Sequence, residues 1–224
     1  MLEIAGIVVF LSGCVYLGVL FTRTLGALAL VLCMMGGYLL SDLLSGVVHW
    51  IGDTIGTENS PVIGRHFVTP FRMHHIDPKD ITRHDFIETN GNNSIVSVPV
   101  IAGVWLMLPA ERGWLFYACV VVAYSAFFVF CTNQFHKWAH ADQAPRVARM
   151  AQRLGIILRP SHHDIHHAAP HDKYYCITVG WLNPILAKLR VFRALEWVIG
   201  LIRPSLLHIA ERERVQGSPP GSPG

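Results

Sequence analysis

The sequence predicts an all-α integral membrane protein, with four transmembrane helices and a cytoplasmic, histidine-rich helical cap. Three observations predict it. Only 15% of the 224 residues are charged and 52% are hydrophobic, with a mean hydropathy of +0.39, whereas a soluble domain carries about 25% charge. The apolar residues fall into four runs, arranged as two close pairs with a polar segment after each. Of the 13 histidines, all but His208 crowd into those two polar segments or their junctions with the helices.

The first run, Ile4–Thr22, is bracketed by Glu3 and Arg23 and predicts a span over about 4–22. It lacks a basic n-region and a small-residue cleavage site, so a retained helix is expected rather than a cleaved signal peptide. The second span is expected over 25–48, the third over 94–109 and the fourth over 114–132. A span needs roughly 20 apolar residues; the third run is the shortest and stops at Pro109. Leu25 follows Arg23 almost at once, and Glu111-Arg112-Gly113 is equally tight, so both short turns lie on one side of the membrane. Residues 49–93 and 133–203 then lie together on the other. Of the 18 Lys and Arg residues, four fall within 41–93 and twelve after Cys131, and the positive-inside rule places them in the cytoplasm.

The stretch from Pro184 to Ile202 places Ile185, Leu189, Phe192, Leu195, Ile199 and Ile202 at helical spacing with Lys188, Arg190 and Arg193 among them. That pattern predicts an amphipathic helix on the membrane surface. Residues 1–203 are read as one domain. Residues 204–224, which end in ERERVQGSPPGSPG, cannot bury a core and are expected to be a disordered tail. The five cysteines include no CxxC pair, which argues against a cysteine zinc site or a disulfide framework. The basic residues interleave with histidines and aromatics and suit lipid headgroups, not nucleic acid.

The chemistry lies in the histidines. On the second helix Asp42, Ser45, His49 and Asp53 follow one another at intervals of 3, 4 and 4 and share a face. Ionisable residues at a membrane boundary are costly unless they pair or bind something; the bland alternative is a helix that has emerged into water. His74 and His75 follow in FRMHHIDP. In HKWAH, His136 and His140 stand one turn apart, a spacing that reaches a single metal but also arises by chance on exposed helices. SHHDIHH is far more specific: His162 and His166, and His163 and His167, are i, i+4 pairs. Four solvated or core histidines within six residues would be the alternative. Eight to ten histidines exceed the three or four ligands of a zinc site and suit two metals that prefer imidazole, among them iron. Asp53 would ligate or orient a ligand histidine. Two irons can activate dioxygen against an unactivated C–H bond. Asp53 and His84 are the candidate catalytic residues; His84 and His171, each beside an acid, suit outer or substrate-facing positions or plain turns, and His66 and His208 are read as solvated or packing residues. Arg72, Arg83 and Lys137 are candidates for binding phosphate by charge-assisted hydrogen bonds, with generic snorkelling to the headgroups as the alternative.

The runs SDLLSGVVHWIGDT, PFRMHHIDPKDITRHDFIETNGNNS, NQFHKWAH and ILRPSHHDIHHAAPHDKYYCITVGWLN closely resemble the plasmanylethanolamine desaturase family, the Kua/CarF-like lipid desaturases. The likeness covers about residues 38–200 in order. It implies removal of two hydrogens beside the ether oxygen of a 1-O-alkyl phospholipid, giving a vinyl ether, with dioxygen and external electrons. It also implies that the histidine boxes are His136–His140 and His162–His167, with His49, Asp53, His74 and His75 as further essential positions. No dinucleotide-binding motif or haem-attachment motif occurs, so the electrons are expected from a partner such as cytochrome b5 or a ferredoxin. An acyl-lipid desaturase or hydroxylase of the same chemistry is the nearest alternative. A non-catalytic metal-binding membrane protein is the alternative of another class, although a transporter would carry its ligands near the bilayer midplane.

Overall fold

The structure, a computed structural model, describes residues 1–207 other than 62 and 110. Ten α-helices account for most of it, and among the described residues the only β pairing is a single bridge between Ile55 and Leu207. Four long helices form the base: α1 (Leu2–Thr24), α2 (Ala27–Thr54), α5 (Phe86–Met107) and α6 (Trp114–His140). Six short ones complete it: α3 (Thr69–Ile76), α4 (Asp80–Arg83), α7 (Arg146–Leu154), α8 (Pro160–His167), α9 (Asn183–Lys188) and α10 (Val191–Ile202).

The base is a row in which α2 packs on α6, α6 on α5 and α5 on α1. Its interior is apolar, with Phe10, Leu17, Phe21, Phe116, Val120 and Phe130 all buried. Its outside is apolar too: Val8, Val15, Leu28, Leu32, Val96 and Leu106 are exposed, the pattern of helices solvated by lipid rather than water. The α2–α6 contact is tight because Gly37 has no side chain. A Cβ there would stand 2.5 Å from Cβ of Tyr124 and 2.7 Å from the Val121 carbonyl, the small-residue approach that membrane helices use.

Three helices, α1, α2 and α6, are long and apolar enough to cross a membrane. The expected fourth, α5, has 22 residues, enough for about 33 Å at 1.5 Å per residue, but its first three turns are polar. Of those polar residues Thr89, Asn90, Ser94 and Ser97 are buried and Glu88 and Asn92 exposed, while further along Val96, Val100, Trp105 and Met107 are exposed. The helix starts well before the expected residue 94 because Asp85 and Glu88 form a reciprocal capping box, with the Asp85 carboxylate accepting from the Ile87 and Glu88 amides. At their other ends α2 and α6 run past the expected 48 and 132, carrying His49, Asp53, His136 and His140 into the cap on continuous helix. The amphipathic stretch 184–202 is two helices, α9 and α10, broken at Arg190, whose φ of 53° ends one and starts the other. Of the expected tail, Pro204–Leu206 form a 3-10 turn and the Leu206 carbonyl accepts from the Gly56 amide; 208–224, with His208, lie outside the described residues.

Candidate metal centre

Four pieces of chain distant in sequence supply the centre, and the polar face of α2 organises them. Its lower half is structural. Asp42 accepts from the backbone amides of Val179, Gly180 and Leu182, and the Ser45 hydroxyl oxygen accepts from the Ile177 amide. These bonds strap the segment after α8 onto α2, where Gly46 leaves room for Cys176. They also satisfy a buried carboxylate that would otherwise be costly in an apolar setting. The upper half, His49 and Asp53, reaches the centre. Pro160 starts α8 at its first helical position and brings His163, His166 and His167 over the ends of α2 and α6. Helix α3, continuous with a π-helical turn over Gly64–Val68, closes the far side with His74 and His75.

Two donor groups result. Ring nitrogens of His74, His136, His140, His163 and His167 form one; ring nitrogens of His49, His75 and His166 with a carboxylate oxygen of Asp53 form the other. Within each group all donor atoms lie within 4.8 Å of one another. In the first, Nε2–Nε2 distances are 2.9 Å for His74–His140, 3.1 Å for His140–His136, 2.8 Å for His136–His163 and 3.1 Å for His163–His167. Each Nε2 carries either one proton or one lone pair. No tautomer assignment therefore gives these four contacts a proton each. Five lone pairs turned on one cation satisfy all of them. Two imidazole nitrogens at about 2.1 Å from an ion and at right angles to each other stand about 3.0 Å apart, which matches the spacing found.

In the second group Asp53, wholly buried, places Oδ1 3.0 Å from His75 Nε2, and Oδ2 3.4 Å from His166 Nε2 and 3.5 Å from His49 Nε2. Both ring nitrogens of buried His49 lack a hydrogen-bond partner among the described residues, an arrangement that costs free energy unless a ligand completes it. His166 is oriented from behind, its Nδ1 donating to the Lys173 carbonyl at 2.9 Å, the outer hydrogen bond that fixes a metal-binding imidazole. The donor sets, imidazole-rich with one carboxylate in the second, fit first-row metals that take imidazole, iron included.

Electrostatics point the same way. Burial, then the charge of neighbouring imidazoles led by His167, holds His74 down to about 3. Burial and His140 do the same to His167, again to about 3. His163 is pushed well below the ordinary histidine value by burial first and His136 next. Neutral rings keep the lone pairs that a metal needs.

Nine of the ten candidate ligands are brought together. His162 is not: its Nε2 accepts from the Asn183 amide at 3.2 Å and its ring lies on Tyr174. His84 is exposed at the end of α4, 3.5 Å from Asp80, away from both groups. His171 lies beside the second group, its ring 4.4 Å from that of His75, and His66 is exposed on the π-helical turn. The three candidate phosphate-binding cations are held by the protein itself. Arg72 is buried and donates to the Gly56 carbonyl, Arg83 pairs with Asp77 and Asp80, and Lys137 donates to the His84 carbonyl. Asn183, which carried no expectation, locks the strap by accepting from the Cys176 amide and donating to its carbonyl; its only sequence signal is an Asn-Pro pair at a helix start.

A family model described as "Lipid desaturase domain" matches residues 38–203. A plasmanylethanolamine desaturase of Myxococcus xanthus is 47% identical over 208 residues, 90% of this chain and 73% of that protein. Plasmanylethanolamine desaturase 1 of Mus musculus is 43% identical over 75% of this chain and 64% of its own length. The chloroplastic fatty acid desaturase 4 of Arabidopsis thaliana is 36% identical over 72% of this chain and 49% of its own length. No solved structure matches the chain.

Proposed function

The chain belongs to the lipid desaturase family, and on that premise we propose that it is an integral-membrane di-iron enzyme that converts a 1-O-alkyl ether phospholipid (plasmanylethanolamine) to its vinyl-ether plasmalogen. The observation that carries this reading is the pair of convergent donor groups, five imidazoles beside three imidazoles and a carboxylate. The relatives named plasmanylethanolamine desaturase support the choice of substrate. Two hydrogens leave the alkyl chain next to the ether oxygen. With two external electrons and two protons they reduce one dioxygen to two waters.

Two irons, when bound, would activate dioxygen, the oxidant, towards an unactivated C–H bond. His49, His75, His166 and Asp53 would hold one, and His74, His136, His140, His163 and His167 the other. Asp53 contributes a negative charge that offsets a cation in a buried setting. The Lys173 carbonyl keeps His166 in the tautomer whose Nε2 faces Asp53. The cap excludes water around His49, His163 and His166, each at most 1% exposed, which protects an oxidising site from side reactions.

The topology proposed is four spans with the active site on the cytoplasmic face. The inward polar and outward apolar faces of α5 support its role as the fourth span, and the excess of Lys and Arg on the cap side supports the orientation. The electrons come from a separate carrier protein of cytochrome b5 or ferredoxin type. A second reading, desaturation of an ester-linked acyl chain, is favoured by the Arabidopsis relatives named fatty acid desaturases.

The test is the lipid profile of cells that express this protein and are fed a 1-O-alkylglycerol, with His163→Ala as control. An acid-labile lipid about two mass units lighter than its alkyl parent, absent from the control, is expected from the loss of two hydrogens. A new double bond in ester-linked chains would select the second reading. No lipid change from iron-loaded protein with a working donor would overturn both and leave a metal-binding membrane protein.

A further inference from the structure

The cations that sequence spacing offers for lipid phosphate are engaged within the protein, so the surface free to meet phosphate lies elsewhere. Helix α7 carries it. Arg146, Arg149 and Arg153 are exposed, and none has an acidic partner among the described residues; only Arg149 is partly engaged, donating to the Ala144 carbonyl. At 100° per residue these three form one stripe along the helix. Beside it runs a second stripe, Val147, Met150 and Leu154, between 59% and 74% exposed, followed by Ile156. Ala148 and Gln152 turn inward, and Ala148 packs in a cluster with Ala144 and Ile157, against which Phe135 and Trp138 of α6 lie.

An exposed apolar stripe flanked by arginines suits either a protein partner or a lipid surface, and the depth of the helix decides between them. Its C-terminal end is fastened to α2 by the Ile156 carbonyl, which accepts from the Tyr38 hydroxyl, and to the segment strapped onto α2 by the Gly155 carbonyl, which accepts from Trp181 Nε1. Tyr38 precedes His49 by eleven residues on one continuous helix, which is about 16 Å at 1.5 Å per residue. The end of α7 is therefore held well down the flank of a membrane-crossing helix, towards the bilayer and away from the cap. Gly155, in the left-handed conformation at φ 69°, ends the helix there, and Arg159 donates to the Gln152 and Arg153 carbonyls to seal it.

We infer that α7 lies in the headgroup layer, its apolar stripe against acyl chains and Arg146, Arg149 and Arg153 binding the phosphates of anionic phospholipids. Amphipathic helices with this partition of charge lie in the interface plane. Near an anionic surface each arginine contributes roughly a fivefold preference. The contact is separate from the donor groups and does not depend on the reaction proposed for them.

The test uses the full chain in nanodiscs of phosphatidylcholine alone or with about a third phosphatidylglycerol, a fraction at which surface charge is substantial. The wild type is expected to melt at higher temperature in the anionic discs, and salt is expected to erase the difference. The triple variant Arg146→Gln, Arg149→Gln, Arg153→Gln should melt alike in both discs. The triple Arg→Lys variant should retain the shift, which separates loss of charge from misfolding. A bimane label on Met150→Cys should be quenched by brominated acyl chains. A label untouched by brominated lipid, or a wild type indifferent to phosphatidylglycerol, would overturn the inference. So would a glutamine variant that keeps its lipid shift but binds its electron donor several-fold more weakly, because the surface would then belong to a protein partner.

Discussion

The two donor groups of the cap share α3 and α8, with α6 completing one and α2 the other, and they differ in charge and access. The group around Asp53 carries one carboxylate and is closed, with His49, Asp53 and His166 at 0–1% exposure. The all-imidazole group carries no fixed charge, and three of its members, His74, His140 and His167, are only partly buried. A cation in the closed group is neutralised in part by its own ligand; one in the open group keeps its charge and has the nearer route to the surface. On the proposed function, the closed group would hold its ion more firmly and the open group would stand nearer to what arrives from outside.

Asp53→Ala should produce the largest effect. It removes the one negative charge and leaves His49, His75 and His166 around an uncompensated cation. Desaturation should fall by more than the about 10–100-fold typical of losing an outer partner. Metal content should halve, as elemental analysis of the purified protein would reveal; an unchanged metal content would break the distinction between the groups. His140→Ala should act more mildly, leaving four imidazoles. We expect both ions to be retained, with affinity at the open group reduced about 10–100-fold in a chelator competition.

Acid should act on the metal-free protein through the open group. Unfolded histidines take up protons near 6.5, whereas His74 and His167 stay neutral in the fold down to about 3. Between those values the unfolded chain binds more protons, so stability falls as pH drops below about 6.5 and is fully present above it. Thermal melts of stripped protein at neutral and mildly acid pH would detect this. His162→Ala should cost about 1 kcal/mol, the worth of one hydrogen bond, and leave the metal content untouched. Arg83→Ala, at an exposed pair, should leave the midpoint of a denaturant titration essentially unmoved.

Much of the cap was legible in the sequence because helical spacing places residues on faces. His136 and His140, and His163 and His167, sit one turn apart and do meet. Periodicity does not say which edge of a face docks, however. On α8, His162, His166, His163 and His167 span a single broad arc, and His162, at its edge, meets Asn183 from the strap instead of the centre. Arg72 looked available beside His74 because nothing local announces that the Gly56 carbonyl, sixteen residues back, will claim it. Asp42 and Ser45 share a stripe with His49 and Asp53, and only tertiary structure divides that stripe into a clamp below and ligands above. The extra length of α5 was readable from the Asp85–Glu88 capping box, while its low hydropathy concealed that Asn90, Ser94 and Ser97 face inward.

The strap on Asp42 also sets a timetable for biosynthesis. The aspartate sits midway along the second helix to be made, yet the amides that satisfy it belong to residues 137 to 140 positions further on. At a translation rate of roughly 5–20 residues per second, the carboxylate waits about 7–28 seconds for its partners while the helix around it is being handed to the bilayer. During that interval a water-lined insertion channel must solvate the carboxylate. The ribosome's progress towards the last helices thus decides when α2 can settle in lipid.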